Sequence, residues 1–392
     1  MRDFSFSTPT KVHFGQGANR QIGTELKKEN IKKLLVVMGG GSKNKALELL
    51  YTEVLEEIKN QGIEIVKFTG VAPNPTLATA RRGVLLAKEE YVDGILAIGG
   101  GSVIDTAKCI AAGALYDADV WDFYQGKERI RRALPVYVVL TLSGTGSENN
   151  GNSVISDKES GVKKLLISNH LFPKVAFVNP KVQETVPAHI FTACCIDAMC
   201  HIMEHYFDGG EAMEISNVMA EALLRTMIKE VPIVLSDPTN YKARSAVMWA
   251  TSLALNGVPS IVGLGGKGGD WSSHNLETGL SIIKNTTHGT GLGILFPAWL
   301  SYVKEDYVEK VARFAREVFL VSEEDDEKAA DEGIWALKKF FKSIGCPDSL
   351  KELGVKEDEL VHLAEVISIF LPMGRIKRIK NIDVAKILQM AY

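Results

Sequence analysis

Along roughly the first 180 residues, short runs of β-branched and other apolar residues alternate with longer amphipathic stretches. The runs are LLVVM (34–38), IEIVKF (63–68), GILAIGG (94–100) and LPVYVVLTL (134–142), and VAFVNP (175–180) ends the series. Apolar runs of this length, separated by helix-like sequence, predict the strands of a parallel sheet covered by helices. KALELLYTEVLEEIKNQG (45–62) shows the intervening pattern, with apolar positions three and four apart and Gly62 where a helix would close. Past VAFVNP the alternation stops. HIFTACCIDAMCHIMEHYF (189–207) and ISNVMAEALLRTMIKEVPIVL (215–235) predict successive helices. Pro180 and Pro187 flank the change, since proline disfavours helix at the residue before it and suits a helix's first turn. We therefore expect an α/β domain over 1–183 and an all-helical domain over 184–392.

Composition fits that division. A chain of 392 residues with 46% hydrophobic and 24% charged positions can bury large cores without disulfides. With 45 basic against 48 acidic side chains, the net charge of −3 gives no general attraction to nucleic acid or an anionic membrane. The five cysteines form no C-x-x-C pair and read as small buried hydrophobes, which points to a reducing cytoplasm. No stretch reaches the roughly 18 apolar residues of a spanning helix, and MRDFSFSTPTKVHFG lacks an apolar signal-peptide region. The acidic run EEDDEKAADE (323–332) reads as a loop and a solvated helix start.

Candidate chemistry begins at the ends of the predicted strands. In GILAIGGGSVIDTAK (94–108) a buried strand runs into Gly99, Gly100, Gly101 and Ser102 before an apolar helix. Such a turn brings backbone N–H groups close to an anion, and the helix N-terminus adds unpaired donors. Ser102 with Asp105 fits a capping box. A strand-to-helix turn without ligand has the same outline. LLVVMGGGSKNKA (34–46) repeats the arrangement with Gly39, Gly40, Gly41 and Ser42. Neither turn is the G-x-G-x-x-G fingerprint. The second lacks an acid for a ribose 2′-hydroxyl and has Lys43 and Lys45 nearby, which argues for NADP(H), with NAD(H) as the alternative. A third turn, in VVLTLSGTGSENNGN (138–152), supplies Thr141, Thr145 and Ser147. Open α/β sheets bind ligands at the carboxyl ends of their strands, so the three turns are expected to converge.

The helical half carries His201, His205, His274 and His288 of the chain's eight histidines. Asp197 precedes His201 by four positions, so on a helix both side chains leave one face a turn apart. His274 and His288 lie in GGDWSSHNLETGLSIIKNTTHGTG (268–291), on either side of a helical segment. One carboxylate and three imidazoles would grip a divalent cation and leave room for a substrate oxygen. Taken alone, an Asp–His pair is more often a capped or core-satisfied pair than a metal site. A competing reading takes HIMEH (201–205) as the inverted zinc-peptidase motif, with Glu204 as base. Under the four-ligand reading Glu204 is expected to be dispensable. His13, His170, His189 and His362 show no comparable pattern.

Taken together, FSTPTKVHFGQGA, MGGGS, VAPNPT, GGGSVIDTAK, LPVYVVLTLSGTGSENN, DAMCHIMEHYF, DWSSHNLE and THGTGLGILFPAW resemble the iron-containing (group III) alcohol dehydrogenases, in particular their butanol dehydrogenase-like, NADP(H)-dependent aldehyde reductase branch. The resemblance spans essentially the whole chain. It implies a dehydroquinate synthase-like architecture, with an N-terminal dinucleotide-binding α/β domain, a C-terminal helical domain and a site in the cleft between them. It also implies hydride transfer between NADP(H) and a primary alcohol or aldehyde, a divalent metal (iron(II) or zinc) on Asp197, His201, His274 and His288, and a cytoplasmic homodimer. Cofactor contacts carry over to the Gly39–Ser42 and Gly99–Ser102 turns, Asn74, Thr141, Leu142, Thr145 and Lys163. Asp105 and Ser147 join this set by their place in the turns. Family members commonly have another histidine four residues after the third ligand, where this chain has Thr278. No side chain is thereby assigned as acid, base or nucleophile. A cofactor-binding protein without turnover is the remaining alternative.

Overall fold

The computed structural model describes residues 6–40, 44–210, 214–258, 268–284 and 286–392. They form two compact units, one spanning Ser7–Thr185 and the other Val186–Tyr392 together with Phe6.

In the first unit, six strands among the described residues form one wholly parallel sheet: β1 (Lys11–Phe14), β2 (Lys33–Gly39), β3 (Glu64–Val71), β4 (Gly94–Gly99), β5 (Val136–Leu140) and β8 (Val175–Val178), in the order β1-β8-β5-β4-β2-β3. The predicted runs supply β2, β3, β4, β5 and β8. The central strands β4, β5 and β8 are buried at every position, as expected of strands covered on both faces. Helices α1 (Ile22–Lys28), α2 (Lys45–Asn60), α3 (Leu77–Glu89), α4 (Gly101–Ala114) and the single turn α5 (Trp121–Tyr124) connect them. Asn44 caps α2 by accepting from the Ala46 N–H, and Gly62 follows its end at φ +75°.

Two elements escaped the sequence pattern. The four-residue edge strand β1 is short and only half-buried. β6 (Asn152–Asp157) and β7 (Val162–Ile167) form a separate antiparallel hairpin. Its strands mix polar and apolar residues on both faces, so no clean alternation announces them.

The second unit is built of helices, with one isolated antiparallel bridge between Met373 and Ile379 among its described residues: α6 (Ala188–Tyr206), α7 (Glu214–Ser236), α8 (Tyr241–Ala254), α9 (Ser272–Lys284), α10 (His288–Val303), α11 (Val308–Phe319), α12 (Asp326–Ser343), α13 (Glu359–Ile367) and α14 (Asn381–Ala391). α6 is buried along nearly its whole length, and its Phe191, Ile196, Met199 and Met203 belong to the unit's core with Leu292, Phe296 and Trp299 of α10. The acidic run enters α12 as expected, with Asp325 capping the Lys328 N–H. The cysteines are free thiols, all but Cys194 buried. No described helix is long and apolar enough to cross a membrane.

Candidate active site

The α/β unit positions its polar turns by topology. β2 leads to β3 on one side, whereas the chain after β3 returns to β4 on the other side of β2 and continues to β5. The direction reverses between β2 and β4, and ligands of open parallel sheets bind beyond the strand ends at such a reversal. Gly39 and Gly40 close β2 there, Gly99 to Ser102 lead from β4 into α4, and Thr141, Leu142 and Thr145 follow β5. Asn74 follows β3 at φ +54°, a left-handed conformation that asparagine tolerates. Gly41 and Ser42, with Lys43, lie outside the described residues.

Two of these turns pack directly together. A Cβ on Gly100 would lie 3.0 Å from Leu142 Cβ, and one on Gly101 would lie 2.7 Å from Thr145 Oγ1. Larger residues would push the turns apart. The expected Ser102–Asp105 capping box does not form: the N-cap is Gly100, without a side-chain bond, and Ser102 lies inside the first turn. Asp105 instead accepts from the Ser147 hydroxyl at 2.7 Å and the Val154 N–H at 2.9 Å. Lys108, fully buried, donates to Ser147 Oγ and O, Asn150 O and Asn152 O. Asp105 and Ser147, read from the sequence as cofactor contacts, thus have polar atoms committed to fastening the loop after β5 onto α4. Lys163 stands on β7, paired in register with Ser156.

In the helical unit, Asp197 and His201 leave one face of α6, His274 stands in the first turn of α9, and His288 opens α10. Ligand-type atoms of Asp197, His274 and His288 all lie within 4.8 Å of one another. Nε2 of His201 and Nε2 of His288 are each 3.7 Å from Asp197 Oδ1, and the His201 and His274 rings stack with centroids 4.9 Å apart. Burial pushes the His201 imidazole down to about 4, against the attraction of Asp197, so the ring is neutral at pH 7. Neutral imidazole is the form that ligates a metal.

Two carboxylates orient these rings: Glu204, which the sequence offers only as a peptidase base, and Glu277, which the sequence reading does not single out. His274 Nδ1 is 2.9 Å from Glu204 Oε1, and His288 Nδ1 is bonded to Glu277 Oε2. Each contact occupies Nδ1, leaving Nε2 as the ligating nitrogen. Both carboxylates are completely buried. Glu204 also accepts from the Ser273 hydroxyl and the Trp271 N–H, and burial pushes its carboxyl up to about 7 despite these bonds. These bonds give Glu204 a part in holding His274, against which the expectation that it is dispensable is to be measured. Glu277 had a legible signal, three residues after His274 and so on nearly the same helical face. Thr278 donates to the His274 carbonyl at 2.9 Å within α9.

The repeated glycines of THGTGLG are steric. A Cβ on Gly289 would overlap the Ala193 carbonyl of α6, and one on Gly291 would lie 2.8 Å from Glu277 Cγ. Small residues here let α10 approach α6 and α9 closely enough for His288 to reach Asp197. Gly289→Ala is expected to cost about 1–3 kcal/mol through overpacking, seen as a lower Tm, and to weaken divalent-metal binding in equilibrium dialysis. Unchanged values of both would show that α10 has slack at this point.

The doubly wound sheet with its glycine turns, and the cluster of one carboxylate and three imidazoles, are the parts expected of a metal-dependent nucleotide oxidoreductase. A family model described as iron-containing alcohol dehydrogenase matches residues 9–180, and the C-terminal model of the same family matches 191–392. The chain belongs to the iron-containing alcohol dehydrogenase family. It is 37% identical over 391 residues to the probable NADH-dependent butanol dehydrogenase 1 of Bacillus subtilis, covering 99% of each chain. It is 35% identical to the NADPH-dependent aldehyde reductase YqhD of Escherichia coli, over 91% of this chain and 90% of that one. The crystal structure of NADH-dependent butanol dehydrogenase A from Thermotoga maritima superposes with a TM-score of 0.94 at 39% identity, covering 100% of this chain and 99% of that one. The chain is thus an oxidoreductase of the class that interconverts alcohols and aldehydes with NAD(P)(H).

Proposed function

We propose that this enzyme reduces short aldehydes to primary alcohols with NADPH in preference to NADH, using a divalent cation held by Asp197, His201, His274 and His288. The observation that carries the reading is the meeting of these four side chains from α6, α9 and α10. The donor set fits such an ion: one carboxylate and three imidazoles, two of the rings turned by buried carboxylates so that Nε2 faces the cluster. When bound, iron(II) or zinc would supply Lewis-acid polarisation of the substrate oxygen.

The chain's own residues do the positioning. Backbone amides of the Gly39–Ser42 and Gly99–Ser102 turns would hold the cofactor's phosphates, and Asn74, Thr141, Leu142, Thr145 and Lys163 would contact the rest of it. Asp105 and Ser147 would act by holding the third turn in register. No carboxylate in the described part of the β2 turn opposes a 2′-phosphate. The NADH-dependent names of several relatives make this preference the point to measure. We further propose a cytoplasmic homodimer, whose subunit count sedimentation would give.

Loss of 340 nm absorbance when the iron- or zinc-loaded protein meets NADPH and butanal tests the reading. Peptide cleavage without nucleotide would support the peptidase alternative, and cofactor binding without turnover across an aldehyde panel would support an inactive binder. For the nucleotide, Gly40→Asp should move the NADH/NADPH ratio of kcat/KM toward NADH by tenfold or more, on the order expected for setting a carboxylate against a phosphate. The nearest atom to a Cβ there is Gly70 Cα at 3.7 Å, so the side chain has room. A ratio that does not move would mean the turn does not face the 2′ position.

A further inference from the structure

Trp271 combines features that neither core packing nor the ligand cluster accounts for. Its backbone lies at φ +63°, a conformation costly for a bulky residue and kept only where the surroundings over-determine it. The N–H donates to the Glu204 carboxylate, and the indole Nε1–H donates to the Gly268 carbonyl at 2.8 Å. Gly269, itself at φ +103°, makes space for the ring, because a Cβ there would collide with the indole nitrogen. The indole meets His274 edge to face at 5.1 Å between centroids, meets His205 the same way at 5.3 Å, and lies 6.2 Å from His201.

Trp271 is nevertheless only half-buried and stands outside the unit's buried core. A large apolar side chain locked from several sides and not fully buried, beside two of the four clustered histidines, is suited to contact an apolar group that arrives from outside.

We propose that Trp271 is the specificity-determining wall against which the carbon chain of the aldehyde packs, setting the length and branching the site accepts. This rests on the proposed function above. The aldehyde oxygen must lie at the histidine cluster for hydride transfer, which puts the adjoining carbons within reach of an indole that contacts His274. A rigid ring held by its own backbone gives a fixed boundary, whereas a mobile side chain would yield to larger substrates.

The test is the kcat/KM profile over propanal, butanal, hexanal, 2-methylpropanal and benzaldehyde for the metal-loaded enzyme and its Trp271→Ala and Trp271→Phe variants, with metal content measured in each. We expect Trp271→Ala to retain metal and to raise the benzaldehyde/propanal and hexanal/propanal ratios by about tenfold or more, the scale of discrimination available to an apolar pocket. Trp271→Phe should fall between, and it carries the test should the alanine variant not fold. A uniform change across all aldehydes, an unchanged profile, or loss of metal from the phenylalanine variant would overturn the proposal. A metal-loaded parent enzyme that turns over none of the five aldehydes would instead remove the reading on which the proposal rests.

Discussion

His274→Ala should leave the purified protein nearly free of tightly bound metal and with almost no NADPH-dependent aldehyde reduction. His274 shares the cluster with Asp197 and His288 and stacks against His201, so its loss opens the site from the middle. Loss of a partner that merely orients a ligand typically lowers metal affinity ten- to a hundredfold. Removal of the ligand itself should exceed about a hundredfold on that scale. The substitution also takes one partner from the buried Glu204 carboxylate, which keeps its bonds from the Ser273 hydroxyl and the Trp271 N–H. Elemental analysis and the 340 nm assay on one preparation check the result. Normal metal content in the variant would remove His274 from the ligand set.

The second large effect falls on Glu204, to which the structure gives a partner, His274, that lies 70 positions away. Glu204→Gln should lower metal affinity about ten- to a hundredfold, because an amide holds His274 Nδ1–H less strongly than a carboxylate does. Glu204→Ala should in addition lower stability. It leaves the Ser273 hydroxyl and the Trp271 N–H without their acceptor in a dry interior, at about 1–3 kcal/mol for each buried unsatisfied group. Metal titration followed by thermal unfolding of the metal-free proteins separates the two effects. Were Glu204 a peptidase base, the glutamine variant would bind metal as tightly as the parent and lose only hydrolysis. Full metal affinity in Glu204→Gln would therefore return HIMEH to consideration.

Legibility differed by residue. Asp197 and His201 could be paired from sequence because a helix puts residues four apart on one face. Their meeting with His274 and His288 has no local signature. It depends on α9 and α10 packing beside α6, which the glycines of THGTGLG permit without announcing. The glycine turns could be read as strand ends because glycine and serine after a buried run punctuate a strand. Spacing alone suggests a capping box for Ser102 and Asp105, and spacing carries no information about distant partners. The observed N-cap is Gly100, and Asp105 is recruited by Ser147 and Val154, more than 40 positions away.

The sequence by itself determined what nearest-neighbour physics can determine: which runs become buried parallel strands, which become helices, and which residues could offer ligand atoms. Hydrophobic period and turn chemistry act over a few residues and are written in the order of the chain. Only the tertiary structure decided that Glu204 and Glu277 aim the imidazoles, that Lys108 ties the third turn to α4, and that a strained Trp271 stands beside the cluster. Each of these depends on a buried polar group or ring finding its partner across a packed interface. Such pairing is enforced by the cost of burying an unpartnered group, a constraint that exists only once the chain has folded.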